Sequence, residues 1–509
     1  SNVGSITNAA GGTIGDWTNG GNIANSGIMG NGTNSSGGSF TNDGTVGTVT
    51  NRGTFTNDAT GTTDAFRNYG TLTNDGTIDS VTGNTGTVTN TGTITNRAYN
   101  NSTGTFVNDG TIGLSANNSG TFTNNGTVHG LSNSGGSFTN SATGTITGNV
   151  VTGIGSYGQA NVLFNNAGTV NGNVNQKQSG TTNNTGTITG TLTNTGTTNN
   201  TGTVSGTTTN NQNGVLNNNE NGTLHAVTVN GGTLTNRGTT GAVTLNQTTV
   251  AGHTYTGSAD NFGTMGAVTT TNGANTFTNE STGTIASLSN GGTVTNAGTV
   301  TGVVTNDATG SFTNTGITGD WTNAGTLANS GTMGNGTNNG TMTQTAGTVG
   351  NVNNTGSFGF SGGTAGDVTN SGTMTYTAGT VGSITNSGTL DVTGAGNNVS
   401  IGALAQTGAG TTIMSGGQTI RTTGAASLAG TLAVTNAPTT IGRYTMVDAA
   451  GGITGQYDIL ALSPSAAPLG AYLRTVGNAD QLWITPSSDQ TMAGIRRWSD
   501  DSSVVNGRV

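Results

Sequence analysis

Few residues in this chain are of types that do chemistry. The 3 histidines, His129, His225 and His253, are far apart, and none stands in a spacing such as His-x-x-x-His that would seat a metal ion. Cysteine is absent, so neither a thiolate nucleophile nor a soft metal site can be built. Gly359-Phe360-Ser361-Gly362-Gly363 matches the nucleophile-elbow pattern, but that turn presents its serine only between a strand and a helix, and no helical pattern follows. Gly153-Ile154-Gly155-Ser156-Tyr157-Gly158 fits the dinucleotide fingerprint literally, again without a following helix whose N-terminus could hold a pyrophosphate. Asp43, Asp75 and Asp109 share one context, Asn-Asp-Gly-Thr. Stacked, such carboxylates could serve a calcium ion or an acid and base pair. Asp before Gly is also a common turn residue, and these units bring no Lys or Arg, which polysaccharide lyases on solenoid folds need beside their acids. The reading is no catalytic residue, no cofactor-binding residue and no metal ligand, hence not an enzyme.

The elements that would carry such residues are set by composition. Of 509 residues 93 are Gly, 29% are hydrophobic and only 6% are charged, which cannot fill a large round core. A narrow core running along stacked coils, to which each coil gives one or two apolar residues, can be filled. Disorder is the other outcome of Gly- and Asn-rich composition, but scarce charge, the absence of Pro before Pro438 and apolar residues recurring at fixed places between threonines oppose it. A net charge of -9 with one lysine, Lys177, leaves no basic face for nucleic acid or anionic lipid. The lack of cysteine suits a chain that crosses oxidising compartments unfolded. There is no charged and apolar leader at Ser1 and no run of about 18 apolar residues, so export implies a signal already removed.

From the start to about residue 390 one unit recurs: Gly-Thr-apolar-Thr-Asn, a variable residue, and Gly. Copies are Gly53 to Asn57, Gly70 to Asn74, Gly86 to Asn90, Gly92 to Asn96, Gly120 to Asn124, Gly232 to Asn236 and Gly292 to Asn296. With the two-residue period of a strand, Val88 and Ile94 face inward, while Thr87, Thr89, Thr93 and Thr95 face solvent as a candidate adhesive face. The asparagine falls on the inner side where the chain turns. Asn57, Asn74, Asn90, Asn96, Asn124, Asn236 and Asn296 are therefore expected to form a structural ladder, each amide satisfied by the next. The following Gly is expected to supply positive φ and close approach. The fold class is all-β: a single long parallel β-solenoid with a C-terminal β cap, right-handed by the chirality of crossover connections. Coils of roughly 16 to 24 residues and a coil rise of about 4.8 Å give on the order of 20 coils and a rod about 100 Å long. The six-residue step from Val88 to Ile94 fits a left-handed hexapeptide helix, but the shorter step from Ile188 to Leu192 does not. Residues 97–102, 150–166 and 246–262 break the repeat and read as loops or widened coils. Gly15 to Asn34 reappears almost unchanged as Gly319 to Asn338, which makes Trp17 and Trp321 equivalent, either core fillers or exposed anchors, with the structural role favoured.

These units resemble the passenger repeats of type V secreted autotransporters, in particular the self-associating adhesins, and more loosely the filamentous haemagglutinin repeats. The composition then shifts: all 4 prolines, Pro438, Pro464, Pro468 and Pro486, lie after residue 400. The segments Ala426 to Val434, Arg443 to Val447, Gly452 to Tyr457 and Asp480 to Ile484 resemble the autochaperone segment that ends such passengers. The domains are accordingly a repeat solenoid at 1–400, an autochaperone-like cap at 401–486 and a polar tail at 487–509. A solenoid end exposes unpaired strand edges, and Leu432, Tyr444, Tyr457 and Trp483 are the expected cap core. The resemblance implies a bacterial cell-surface or extracellular location, an attached membrane barrel if the chain is untruncated, and partners that are identical rods or host and abiotic surfaces. The expected function is self-association, aggregation or biofilm attachment; ice binding by Thr-x-Thr arrays and a passive stalk are the alternatives.

Overall fold

The computed structural model describes residues 1–154, 162–463 and 470–485. Among them every regular element is a strand, and the strands stack coil upon coil as a parallel β-solenoid. Two compact units divide the chain: Ser1–Gly266 with Ala274–Thr276, and Ala267–Gly273 with the residues from Phe277 onward. The expected polar tail at 487–509 lies outside the described residues, as do Gly155 to Gly158 of the dinucleotide-like motif.

A coil of the first unit has two sides. Strand Thr54–Asn57 makes one, a corner follows, and the bent strand Thr62–Asn68 makes the other. In most coils the bend interrupts the second side, leaving two short strands such as Thr93–Ile94 and Arg97–Asn100. Neighbouring coils pair residue for residue: Thr54, Phe55, Thr56 and Asn57 lie beside Thr71, Leu72, Thr73 and Asn74, and these beside Thr87, Val88, Thr89 and Asn90. Val88 and Ile94 thus sit on opposite sides of one corner in the same coil, and the six-residue step is the length of that corner, not a hexapeptide coil.

The asparagines hold the corners. Each is buried, and its Nδ2 donates to the Oδ1 of the equivalent residue one coil on: Asn57 to Asn74 at 2.7 Å, Asn74 to Asn90 at 2.6 Å, Asn90 to Asn108 at 2.7 Å and Asn108 to Asn124 at 2.7 Å. Asn236 donates likewise to Asn261 at 2.8 Å, and in the second unit Asn296 donates to Asn314 at 2.7 Å. Asn96 departs from the expectation. It stands half-exposed at the bend of the second side and donates to the Asp79 carboxylate at 2.7 Å. Gly92 to Asn96 spells the repeat, but its apolar residue is followed by the bend and not by a corner.

The opposite corner carries a second ladder that sequence reading missed. Asn51 donates to Asn68 at 2.8 Å, Asn68 to Asn84 at 2.8 Å, Asn84 to Asn100 at 2.9 Å and Asn100 to Asn118 at 2.8 Å. Of residues 97–102, expected to be a loop or widened coil, Arg97–Asn100 is thus an ordinary strand ending on a ladder asparagine, and the next two lie in the corner. The available signal was a second apolar-x-Asn per coil: Val49-Thr50-Asn51, Phe66-Arg67-Asn68 and Ala98-Tyr99-Asn100.

Corners come in two lengths, and one glycine carbonyl ends both. Asn74 Nδ2 donates to the Gly76 carbonyl two residues on at 3.2 Å, whereas Asn57 Nδ2 reaches the Gly61 carbonyl four residues on at 3.0 Å. Ladder steps therefore vary from 15 to 18 residues in ordinary coils, and reach 25 from Asn236 to Asn261 and 26 from Asn140 to Asn166 where a coil is widened, with the register intact. At Gly76 and Gly92 φ is not positive, contrary to expectation. What excludes a side chain is the coil beneath: a Cβ on Gly92 would lie 2.1 Å from the Gly76 carbonyl oxygen, and one on Gly76 would lie 2.3 Å from that of Gly61.

Between the ladders runs the core. Phe55, Leu72, Val88, Phe106, Phe122 and Phe138 form one inward column and Ile78, Ile94, Ile112 and Val128 another. Phe106 and Phe122 stack with centroids 4.5 Å apart and planes 5° from parallel; burying each ring contributes on the order of 2 kcal/mol. Trp17 and Trp321 are core residues of their own units, each covering a glycine one coil on, Gly32 or Gly336. Their Nε1 groups donate to the Gly30 and Gly334 carbonyls at 2.9 Å and 3.0 Å. Residues 246–262 hold an antiparallel hairpin, Thr248–Val250 with His253–Tyr255, that widens its coil.

In the second unit strand Asn398–Gln406 crosses residue 400 with parallel neighbours on both sides. The pairing changes later: Gly442–Ala449 pairs antiparallel with Ala479–Thr485, which pairs antiparallel with Gly470–Val476. Leu432 and Tyr457 are buried there, but Tyr444 and Trp483 are not. Alternation along the last strand sends Leu482 and Ile484 inward and Trp483 outward, where Arg443 lies 4.0 Å and Arg474 5.4 Å from its ring. The Tyr444 hydroxyl donates to the Thr440 carbonyl at 3.1 Å.

Replacing Asn74 by Ala removes the acceptor of Asn57 and the donor to Asn90, leaving a buried carboxamide without its partner at a cost of about 1 to 3 kcal/mol. Hydrogen exchange should accelerate in the flanking strands for Asn74→Ala, while Asn96→Ala should leave it unchanged. Equal effects would contradict the distinction between ladder and bend.

Candidate functional site

The outward side chains form columns because the coils are in register. On the first side, Thr54, Thr71, Thr87, Thr105, Thr121 and Ser137 make one column, and Thr56, Thr73, Thr89, Val107, Thr123 and Thr139 a second. On the other side Thr45, Thr62, Thr77, Thr93, Thr111, Thr127 and Thr145 make a single column. Thr62 Oγ1 donates to Thr45 Oγ1 at 3.1 Å. The four threonines expected to share a face are thus divided: Thr87 and Thr89 stand on the first side, Thr93 across the corner on the second, and Thr95 near its bend. Thr87, Thr93 and Thr95 are exposed and Thr89 is half-exposed.

The Thr column yields to asparagine further along the first unit. Asn183 donates to Asn165, Asn199 to Asn183 and Asn217 to Asn199, each at 2.9 Å. This half-exposed amide ladder presents donors and acceptors at every coil, a spacing of about 4.8 Å.

Acidic residues collect at the first corner. Asp43, Asp58 and Asp75 follow ladder asparagines of successive coils, and Asp109 stands two coils past Asp75. Their neighbours are hydroxyls and amides: Thr91 donates to Asp75, and Asn125 to Asp109 at 2.7 Å. Partial burial, with the charges of Asp43 and Asp75, raises the Asp58 carboxyl above its ordinary range. Among the described residues no three of His, Cys, Asp and Glu converge as a metal site would require. Ser361 Oγ donates to the Gln344 carbonyl at 3.2 Å, at the end of a strand followed by a turn.

Among the described residues the strongly perturbed carboxyl is Asp480, which sequence reading placed in the cap without a role. It is buried, accepts from Thr475 Oγ1 at 3.2 Å, and its Oδ2 has no partner; the buried hydroxyl of Tyr472 has none either. Desolvation pushes the Asp480 carboxyl up to about 6 and, with the Asp480 charge, raises Tyr457.

No family model matches the chain, and no curated protein matches it.

A carboxyl raised on folding costs stability once it must ionise. The penalty from Asp480 grows as pH rises from about 4, its ordinary value, and is complete above about 6. Asp480→Asn is expected to slow hydrogen exchange in Gly470–Val476 and Ala479–Thr485 at pH 7.5, by an amount on the order of 2 kcal/mol, and to have little effect at pH 4. A uniform effect across pH would contradict this.

Proposed function

We propose that the chain is a bacterial cell-surface or secreted adhesive and structural protein, whose stacked Thr and Asn faces mediate self-association, aggregation or biofilm attachment. One observation supports this reading above the others: outward hydroxyls and amides repeat in residue-for-residue register over many coils. A single Thr-to-Thr or Asn-to-Asn hydrogen bond is weak, but two such faces laid together engage many at once, and linked contacts bind far more tightly than separate ones. Only 6% of the residues are charged, which limits the repulsion between like faces. The antiparallel C-terminal strands fit a solenoid terminus, and their resemblance to autochaperone segments assigns them a role in folding after export.

The register also favours a second reading, ice binding. Uneven repeat spacing in the sequence opposes a lattice match, yet the two corner lengths absorb that unevenness and keep the paired Thr columns aligned. Against it stand Val107 and the half-exposed asparagines Asn165 and Asn183, which interrupt those columns.

Bacteria displaying the intact chain are expected to settle from suspension faster than bacteria displaying it without residues 1–390, and the purified chain to give no thermal hysteresis. Equal settling would exclude the repeats as the adhesive element; hysteresis with no settling would favour ice binding.

A further inference from the structure

The 11 lysines and arginines of the chain are sparse, yet three arginines gather on the second side and adjoining corner of a few coils in the first unit. Arg52 stands at the corner after Val49–Asn51, Arg67 lies in Thr62–Asn68, and Arg97 opens Arg97–Asn100. Two exposed tyrosines accompany them. The Arg52 guanidinium lies 5.0 Å from the centroid of the Tyr69 ring, and Arg97 Nη1 donates to the Tyr99 hydroxyl at 3.3 Å. Tyr69 is 42% and Tyr99 36% exposed.

Register brings these side chains together. Gly83 pairs with Arg67 and ends a bulge, while Ala98 pairs with Val81 and Asn100 with Asn84, so Tyr99 faces the bulge from the next coil. Gly83 is buried, with Asn101 Nδ2 3.4 Å and Arg67 Nε 3.8 Å from where its Cβ would be, so the Arg67 side chain lies over it. The Arg67 guanidinium and the Tyr99 phenol thus stand two coils or roughly 10 Å apart on one exposed side.

The charges are free to act on a ligand. Among the described residues the ion pair formed is Arg421 with Asp448, in the second unit, so no carboxylate lies within salt-bridge distance of Arg52, Arg67 or Arg97. Two acids of the same coils, Asp64 and Asp79, stand toward the bend, and Asp79 already accepts from Asn96 and Ser80.

The geometry points to a binding site for an anionic polysaccharide, with Arg67 and Arg97 pairing carboxylate or sulfate groups on successive sugars and Tyr99 and Tyr69 packing against sugar rings. Guanidinium forks bind both anions in two-pronged fashion, and exposed aromatic faces take the apolar faces of sugars. A polysaccharide is favoured over nucleic acid because three cations on a chain of net charge -9 cannot offset the phosphate density of a nucleic acid. This site does not depend on self-association of the Thr and Asn faces.

The test is binding of the full chain to heparin as the sulfated probe and polygalacturonate as the carboxylated one, with dextran and single-stranded DNA as controls. At least one of the two polyanions is expected to bind, more weakly as salt rises, while dextran does not. Arg67→Ala with Arg97→Ala should weaken binding roughly ten-fold or more, as loss of charge-assisted hydrogen bonds implies, and Tyr99→Ala several-fold. Arg67→Gln with Arg97→Gln, which keeps side-chain bulk, should lose binding equally, with an unchanged circular dichroism spectrum. Arg237→Ala, which removes an arginine 4.7 Å from the Phe262 ring elsewhere in the unit, should leave binding unchanged. The proposal is overturned by no binding of either polyanion, by equal retention of dextran, by DNA binding as tightly as the polysaccharides, or by an Arg237→Ala loss that matches the double variants.

Discussion

A carboxamide buried in a corner must find partners for two donor hydrogens and an acceptor oxygen, and everything else in this protein follows from how that is met. The solution is translational. Along most of each ladder an Asn donates to the Asn one coil on and to the glycine carbonyl that closes its own corner, as Asn74 does with Asn90 and Gly76; Thr152, Gln344 and Val229 take the place of Asn elsewhere. The same amide that would cost free energy if left alone becomes a reason for coils to sit in register. A shift by one residue would turn every asparagine and apolar side chain to the wrong face. Two ladders, one at each corner, fix both edges of the core between them.

That constraint explains the composition. The ladders replace much of the apolar packing a globular core would need, so 29% hydrophobic residues suffice. Glycine is demanded by the approach of one coil's corner to the next, where a Cβ would meet a carbonyl at about 2 Å, as at Gly92 over Gly76. Coil length is left free. Extra residues enter a corner between the Asn and its closing glycine, as in Asn57-Asp58-Ala59-Thr60-Gly61, or extend it as a hairpin, as at Thr248 to Tyr255, without disturbing the columns. The outward columns inherit their alignment from the ladders, which is how an irregular repeat yields regular faces.

Much of this was legible in the sequence, because period-two alternation and the position of Asn after the apolar residue are local signals. The parallel coil, the inward Val88 and Ile94, and the stacking of Asn57, Asn74 and Asn90 follow from them. What was not legible depends on where the chain turns. Gly92 to Asn96 and Gly86 to Asn90 spell the same unit, yet one asparagine enters a bend and the other a corner, and only the neighbouring coil decides. For the same reason the second ladder, hidden in units without Gly-Thr such as Phe66-Arg67-Asn68, escaped notice, and Thr87 and Thr93 were placed on one face. At the C-terminal strands the large aromatics suggested a core, but Trp483 alternates with Leu482 and Ile484 and must face out. The low overall charge hid the arginines, which are 30 residues apart at Arg67 and Arg97 yet two coils apart in space.

The most direct test of the account is hydrogen exchange of asparagine side-chain carboxamides, read by NMR on a chain labelled with nitrogen-15 at Asn. Ladder amides such as those of Asn74, Asn90 and Asn100 should form a slowly exchanging class, with Asn96 exchanging fast. Carboxamides that all exchanged at the rate of free asparagine would mean that no ladder exists, and the register, the core and the outward faces would lose their basis together.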